Sequence, residues 1–340
     1  MARPAAVLAV CALLLAGCGS DAEPGSTWVE DDVSFVADGL TIHGTYRHQP
    51  GAEPGPAALL ISESGNTDRN GDNAVAGPVG TMRELAEELS ARGVASLRYD
   101  KVGTGATGLG PYASDPAAVG STVYTAGARA ALHFLAEQPE ADPLRLSAYG
   151  HGEGATHALA LAGAPDVRPE SVALLQPLPG RYLDLITSRV GNDVAAAVEQ
   201  GAKSPEQAEA VRAAWAAAVR QARTEGAVAA EPLPDGLSAI LNPSNVTAVV
   251  EADAIDPLAQ AAALPDGMPV LLTCSDSDGQ SRCDAVGPLA EALGHTDLTF
   301  VQFEGVNHVL RDDPTDNVAK YASGGPLSSQ LTAALDGFVG

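Results

Sequence analysis

Basic residues are scarce in this chain. Lysine and arginine number 19 against 43 aspartates and glutamates, a net charge of −24 at pH 7. A surface of that sign repels phosphates, so no nucleic-acid partner is expected. It also argues against electrostatic docking on anionic lipid. The N-terminal apolar run, Ala5 to Leu15, falls short of the roughly 20 residues that a membrane-spanning helix needs. No internal repeat is present, which excludes solenoids and propellers.

Cysteines are also few, at four. Cys11 lies in the apolar run. Cys18 follows Leu15-Ala16-Gly17, and this stretch resembles a bacterial lipobox, whose cysteine is lipidated and becomes the new N-terminus. The resemblance implies a leader over residues 1–17 and a tether over 18–32, with an ordinary secretory signal cleaved nearby as the alternative. It also implies an exported protein held by lipid at the outer face of the cytoplasmic membrane. In that oxidising setting the remaining pair, Cys274 and Cys283, is a candidate disulfide, with two free thiols as the alternative.

The rest of the chain alternates. Residues 33–36 and 40–47 flank Asp38-Gly39, a hairpin turn. Ala57 to Ser62 reads as a buried strand, and Thr81, with Glu84 three residues on, as the capping box of a helix through about Arg92. Strands over Val94–Tyr99, Leu144–Tyr149 and Val172–Gln176 alternate with helices over Ser121–Glu137 and Gly152–Ala162. This predicts a mostly parallel sheet with helices on both faces, over residues 33–179 and again over 264–340. Residues 180–263 carry helices without a convincing strand and read as an inserted helical cap. Ser204-Pro205-Glu206-Gln207 is a helix start there. Val211, Trp215 and Val219 then form an apolar stripe, expected to pack on the domain below.

The most telling absence is at Gly150-His151-Gly152-Glu153-Gly154. This is the strand-to-helix layout of a nucleophile elbow, G-x-S-x-G, with Gly152 where the serine belongs. Two further parts of a catalytic constellation remain. Asp276 and Asp278 follow the strand at 270–274, and an acid there can orient a histidine; Asp278 is preferred. His308 follows the strand ending at Phe303 and can act as a general base. His151 is expected to make a structural hydrogen bond under the turn.

With these residues in view, the chain resembles the α/β-hydrolase superfamily, and more narrowly bacterial hydrolases of the serine-aminopeptidase or dienelactone-hydrolase-like kind. The segment Leu60 to Gly71 resembles a family loop of the form Ala-Gly-Ser-Gly-Pro-x-Asp-Arg-Asp-Gly. Arg98-Tyr99-Asp100-Lys101, Asp278-Gly279-Gln280 and Asn307-His308 resemble further family positions. The resemblance covers residues 33–340, most weakly in the cap. It implies the α/β-hydrolase fold, a catalytic set of His308, Asp278 and position 152, and an oxyanion hole at Glu153, Glu63 and Ser64. It implies no cofactor or metal.

The departures matter as much. Gly152 replaces serine, Glu63 stands where the family loop has glycine, and Val102 to Thr107 departs from Arg-Gly-x-Gly-x-Ser. A carboxylate beside an oxyanion hole opposes the charge that develops there. Two separate lesions favour lost or redirected catalysis, with an ester-, amide- or lipid-like ligand bound under the cap. The alternative is an active hydrolase, esterase- or peptidase-like, or one that depends on a His308–Asp278 dyad. Two smaller patterns carry less. Gly103 to Gly108 matches G-x-G-x-x-G, but no helix follows, so no dinucleotide site is expected. Asp68, Asn70 and Asp72 echo a calcium loop without its glycine and glutamate, and read as a hydrogen-bonded loop.

Overall fold

The computed structural model describes residues 27–339. The leader, Cys18 and most of the tether lie outside the described residues. Eight strands form one sheet in the order β1-β2-β4-β3-β5-β6-β7-β8. They are β1 (Val29–Ala37), β2 (Leu40–His48), β3 (Gly55–Ile61), β4 (Ala95–Tyr99), β5 (Ala141–His151), β6 (Ser171–Leu175), β7 (Pro269–Ser275) and β8 (Asp297–Phe303). The β1–β2 and β2–β4 pairs are antiparallel, and all the others are parallel.

Strand β3 shows why the sheet is covered on both faces. Ala57, Leu59 and Ile61 point to one side and Ala58 and Leu60 to the other, and all five are buried. The first side packs against α2 (Ser121–Ala136), α3 (Gly154–Ala162), α7 (Pro257–Ala262) and α8 (Cys283–Ala292). The second packs against α1 (Thr81–Ser90) and α9 (Ser329–Val339).

Strand β1 begins at Val29, so residues 29–32, expected in the tether, are strand instead. Their acidic side chains disguised the pattern. Glu30 pairs with Arg98, Asp31 with His48 and Asp32 with Arg69. The capping box at Thr81 is not formed. Gly80 caps α1 with φ 76°, and the buried Thr81 hydroxyl donates to the Val309 carbonyl. Glu84 instead holds Arg311.

Between β6 and β7 lie α4 (Tyr182–Glu199), α5 (Pro205–Glu225), α6 (Val246–Ala254) and α7. The Ser204–Gln207 capping box is present at the start of α5. The α5 stripe does not pack on the sheet domain. Val211, Trp215 and Val219 join Leu183, Ile186 and Val190 of α4 in a separate core, where the Trp215 ring N–H donates to Thr187. The apolar faces of α4, α5 and α6 are buried on one another and not on the sheet.

Candidate active site

Three strand ends build the site. The first is the elbow between β5 and α3. A Cβ on Gly150 would lie 2.3 Å from the Gly154 carbonyl oxygen, and a Cβ on Gly154 would lie 2.3 Å from that of Ile61. Those glycines let the turn close tightly, and Gly152 between them has φ 54°. The elbow backbone is therefore intact. Helix α3 starts at Gly154, so the N–H groups of Glu153 and Gly154 have no intrahelical acceptor.

The second and third parts are the acid and histidine loops. Asp278 Oδ2 lies 2.9 Å from His308 Nδ1, and both side chains are buried. Asp276 is turned to Ser277 and the Gly305 N–H instead. The Cys274–Cys283 disulfide joins β7 to α8 across the base of the acid loop. Asp316 ties the two loops together by accepting from the N–H groups of Gly279 and His308. Nothing in the sequence marked Asp316, which reaches the site from a later loop.

The decisive feature is Glu63. Its loop follows β3, and its carboxylate turns into the space over Gly152. An ideal Cβ on Gly152 would lie 1.4 Å from Glu63 Oε2, about the length of a carbon–oxygen single bond. The same oxygen is 2.9 Å from His308 Nε2. Glu63 Oε2 thus sits where a serine hydroxyl would meet the histidine. The Glu63 carboxylate, expected beside an oxyanion hole, thus lies over Gly152 and against the His308 ring. The Lys101 ammonium donates to the Glu63 carbonyl oxygen and fixes that backbone.

The electrostatics follow from this crowding. Burial disfavours charge on His308, but the Asp278 and Glu63 carboxylates on either side outweigh it and hold its pKa well above the ordinary value. Burial likewise opposes charge on Glu63 and Asp278, yet His308 holds both below the usual carboxylate range. Glu153 behaves oppositely, because burial raises it more than Lys101 lowers it. His151 is pushed down, first by burial and then by His308. Its Nε2 lies 2.7 Å from the His308 carbonyl oxygen, a hydrogen bond under the turn. Among the described residues, Glu63, His151 and His308 form the one group of side chains close enough to share a metal ion.

Two cavities flank this centre. One, of about 780 Å³, lies beneath the inserted helices against Tyr124, Glu153, Tyr182, Ile186 and Val249. The other, of about 550 Å³, is lined by Glu63, His151, His308, Val79 and Tyr321. Ser64, Gly65 and Gln280 line both. The 103–108 turn wraps Asp100, which accepts from the Ala106 N–H, and Asp68 accepts from the N–H groups of Asn70 and Asp72.

No family model matches the chain, and no curated protein matches it. Solved structures do. An esterase of Pyrococcus furiosus is 15% identical with a TM-score of 0.55, over 92% of this chain and 94% of that one. A dienelactone hydrolase-like promiscuous phosphotriesterase from metagenomic libraries is 13% identical with a TM-score of 0.51, over 92% and 96%. Est1E from Butyrivibrio proteoclasticus, solved with ferulic acid, is 15% identical with a TM-score of 0.53, over 86% and 96%. Strand order, elbow and these likenesses together define the α/β-hydrolase fold.

Proposed function

We propose that this chain is an exported protein, anchored through lipid on Cys18, whose α/β-hydrolase-fold body has given up serine acyl transfer. In this reading it binds an ester-, amide- or lipid-like small molecule in the cavity beneath the inserted helices. The observation that carries the reading is the carboxylate of Glu63 in the position of the serine hydroxyl. No acyl-enzyme can form at Gly152, and a hydroxyl placed there has no room while Glu63 stays. The same contact weighs against a His308–Asp278 dyad acting as general base, because His308 Nε2 is already engaged by Glu63. The cavity of about 780 Å³ supports ligand binding, being of the size and mixed apolar and polar lining of small-molecule sites.

The test is covalent labelling by a fluorophosphonate probe of activated serines, with hydrolysis of a short-chain nitrophenyl ester alongside. The natural chain is expected to show neither labelling at the elbow nor turnover that depends on His308. Rapid ester hydrolysis by the natural chain, abolished by His308→Ala, would overturn the reading in favour of an active hydrolase.

A further inference from the structure

We propose that Glu63, His151 and His308 form a site for a divalent transition-metal ion of the zinc class, with one coordination position open to the cavity of about 550 Å³. The inference goes beyond the reading above, which concerns serine chemistry and the cavity beneath the inserted helices.

The donor set comes first. Two imidazoles and one carboxylate are the ligands of a common type of catalytic zinc site, whose fourth position is left to water. Imidazole nitrogens select against calcium and magnesium, which take oxygen ligands. One ligand atom from each residue lies within 4.8 Å of those of the other two. Glu63 Oε2 and His308 Nε2 are already 2.9 Å apart. Around a tetrahedral ion with bonds of about 2.0–2.1 Å, neighbouring donors sit about 3.3 Å apart. The main adjustment is thus an inward movement of His151.

The surroundings orient both rings as metal ligands are oriented. His308 is held at Nδ1 by Asp278, which leaves Nε2 facing Glu63. His151 is held at Nε2 by the His308 carbonyl oxygen. A carbonyl only accepts, so Nε2 carries the hydrogen and the lone pair of the neutral ring lies on Nδ1. Each histidine is therefore anchored through one nitrogen and keeps the other for an ion, with Asp278 as the carboxylate behind the ligand.

Two further observations point to an occupant. Glu63 Oε1 is buried and has no hydrogen-bond partner. An orphaned carboxylate oxygen is costly, and a cation in the site would satisfy it. The missing side chain at Gly152 supplies the room, because a Cβ there would lie 1.4 Å from Glu63 Oε2 and 3.0 Å from Oε1. The substitution that removed the serine is the one that admits the carboxylate. His151 ends β5, Glu63 follows β3 by two residues and His308 lies on the loop after β8, and all three line one cavity, which gives the ion a way in.

The experiment uses the purified chain, stripped by a chelator and then titrated with Co²⁺ and with Zn²⁺. Visible absorption reads cobalt coordination, equilibrium dialysis reads stoichiometry, and circular dichroism verifies the fold of every variant. The expected result is one ion per chain with tetrahedral cobalt bands. Glu63→Gln and His151→Asn should abolish the bands, and Asp278→Asn should weaken binding about 10–100-fold. His133→Gln, on the surface beside Asp166, should leave binding unchanged. Absence of saturable one-to-one binding by the folded natural chain would overturn the proposal. So would binding that survives undiminished in folded Glu63→Gln and His151→Asn proteins. Neither outcome bears on serine labelling, so the two readings fail separately.

Discussion

Two enclosed carboxylates, Asp253 among the inserted helices and Glu63 at the end of β3, meet their partners in different ways. Asp253 is fully satisfied. Its Oδ1 accepts from the Leu183 N–H and Arg223, and its Oδ2 from Arg181 and Arg223. The two arginines extend toward solvent and carry permanent charge. Glu63 has one ion-pair partner, a histidine shared with Asp278, and its Oε1 accepts no hydrogen bond. Asp253 is a staple that joins α4, α5 and α6. Glu63 is incompletely satisfied beside a cavity and lies against the His308 ring. The contrast separates a buried charge that serves the fold from one that marks a site.

Removing one charged partner from each cluster sharpens this comparison. His308→Ala leaves Asp278 buried without its partner and should destabilise the protein by about 3–5 kcal/mol in chemical denaturation. Asp253→Ala should cost less, about 1.5–3 kcal/mol, because the freed arginines can turn to water. Equal costs would mean that Asp253 is as deeply committed as the site. At the elbow, Gly150→Ala should cost about 1–3 kcal/mol, since the added Cβ meets backbone atoms that cannot yield. Gly152→Ala meets only the end of the Glu63 side chain, and its φ of 54° costs about 1–2 kcal/mol. Thermal unfolding that ranked Gly152→Ala as the more damaging would show that Glu63 is rigidly held.

The smallest effect is a pH dependence. Burial tends to raise Asp253, but its hydrogen bonds from Arg223 and the Leu183 N–H, with the charges of Arg223 and Arg181, bring it below the ordinary carboxylate value. A depressed folded pKa gives stability that is present above the unfolded pKa of about 3.9 and lost as pH falls through the folded value. The stability difference between the natural chain and Asp253→Asn should therefore shrink below about pH 4. A difference that grew on acidification would contradict the assignment.

Much of this was legible in the sequence for identifiable reasons. Doubly buried strands such as β3 read as unbroken apolar runs, and the elbow announced itself through glycines that steric contact demands. Ser204 and Gln207 formed their cap because both stay at the surface. Thr81 misled because its side chain is turned into the core, and Glu30 to Asp32 because their partners come from β4, β2 and the loop after β3. The Glu63 contact was the hardest to read. It joins positions 63, 152 and 308, which only the assembled sheet brings together. Its one trace was the pairing of two departures from the resembled pattern, a glycine at 152 and a carboxylate at 63. Read as an exchange of volume, that pairing points to the contact.

The central claim is that Glu63 occupies the place of the serine. Nitrophenyl ester hydrolysis by four proteins tests it most directly: the natural chain, Glu63→Gly, Gly152→Ser and the double variant. The expected result is that both single variants stay at background, while the double variant gains turnover by orders of magnitude. Gly152→Ser alone matching the double variant would contradict the account, because Glu63 would then leave room for the nucleophile it is held to replace.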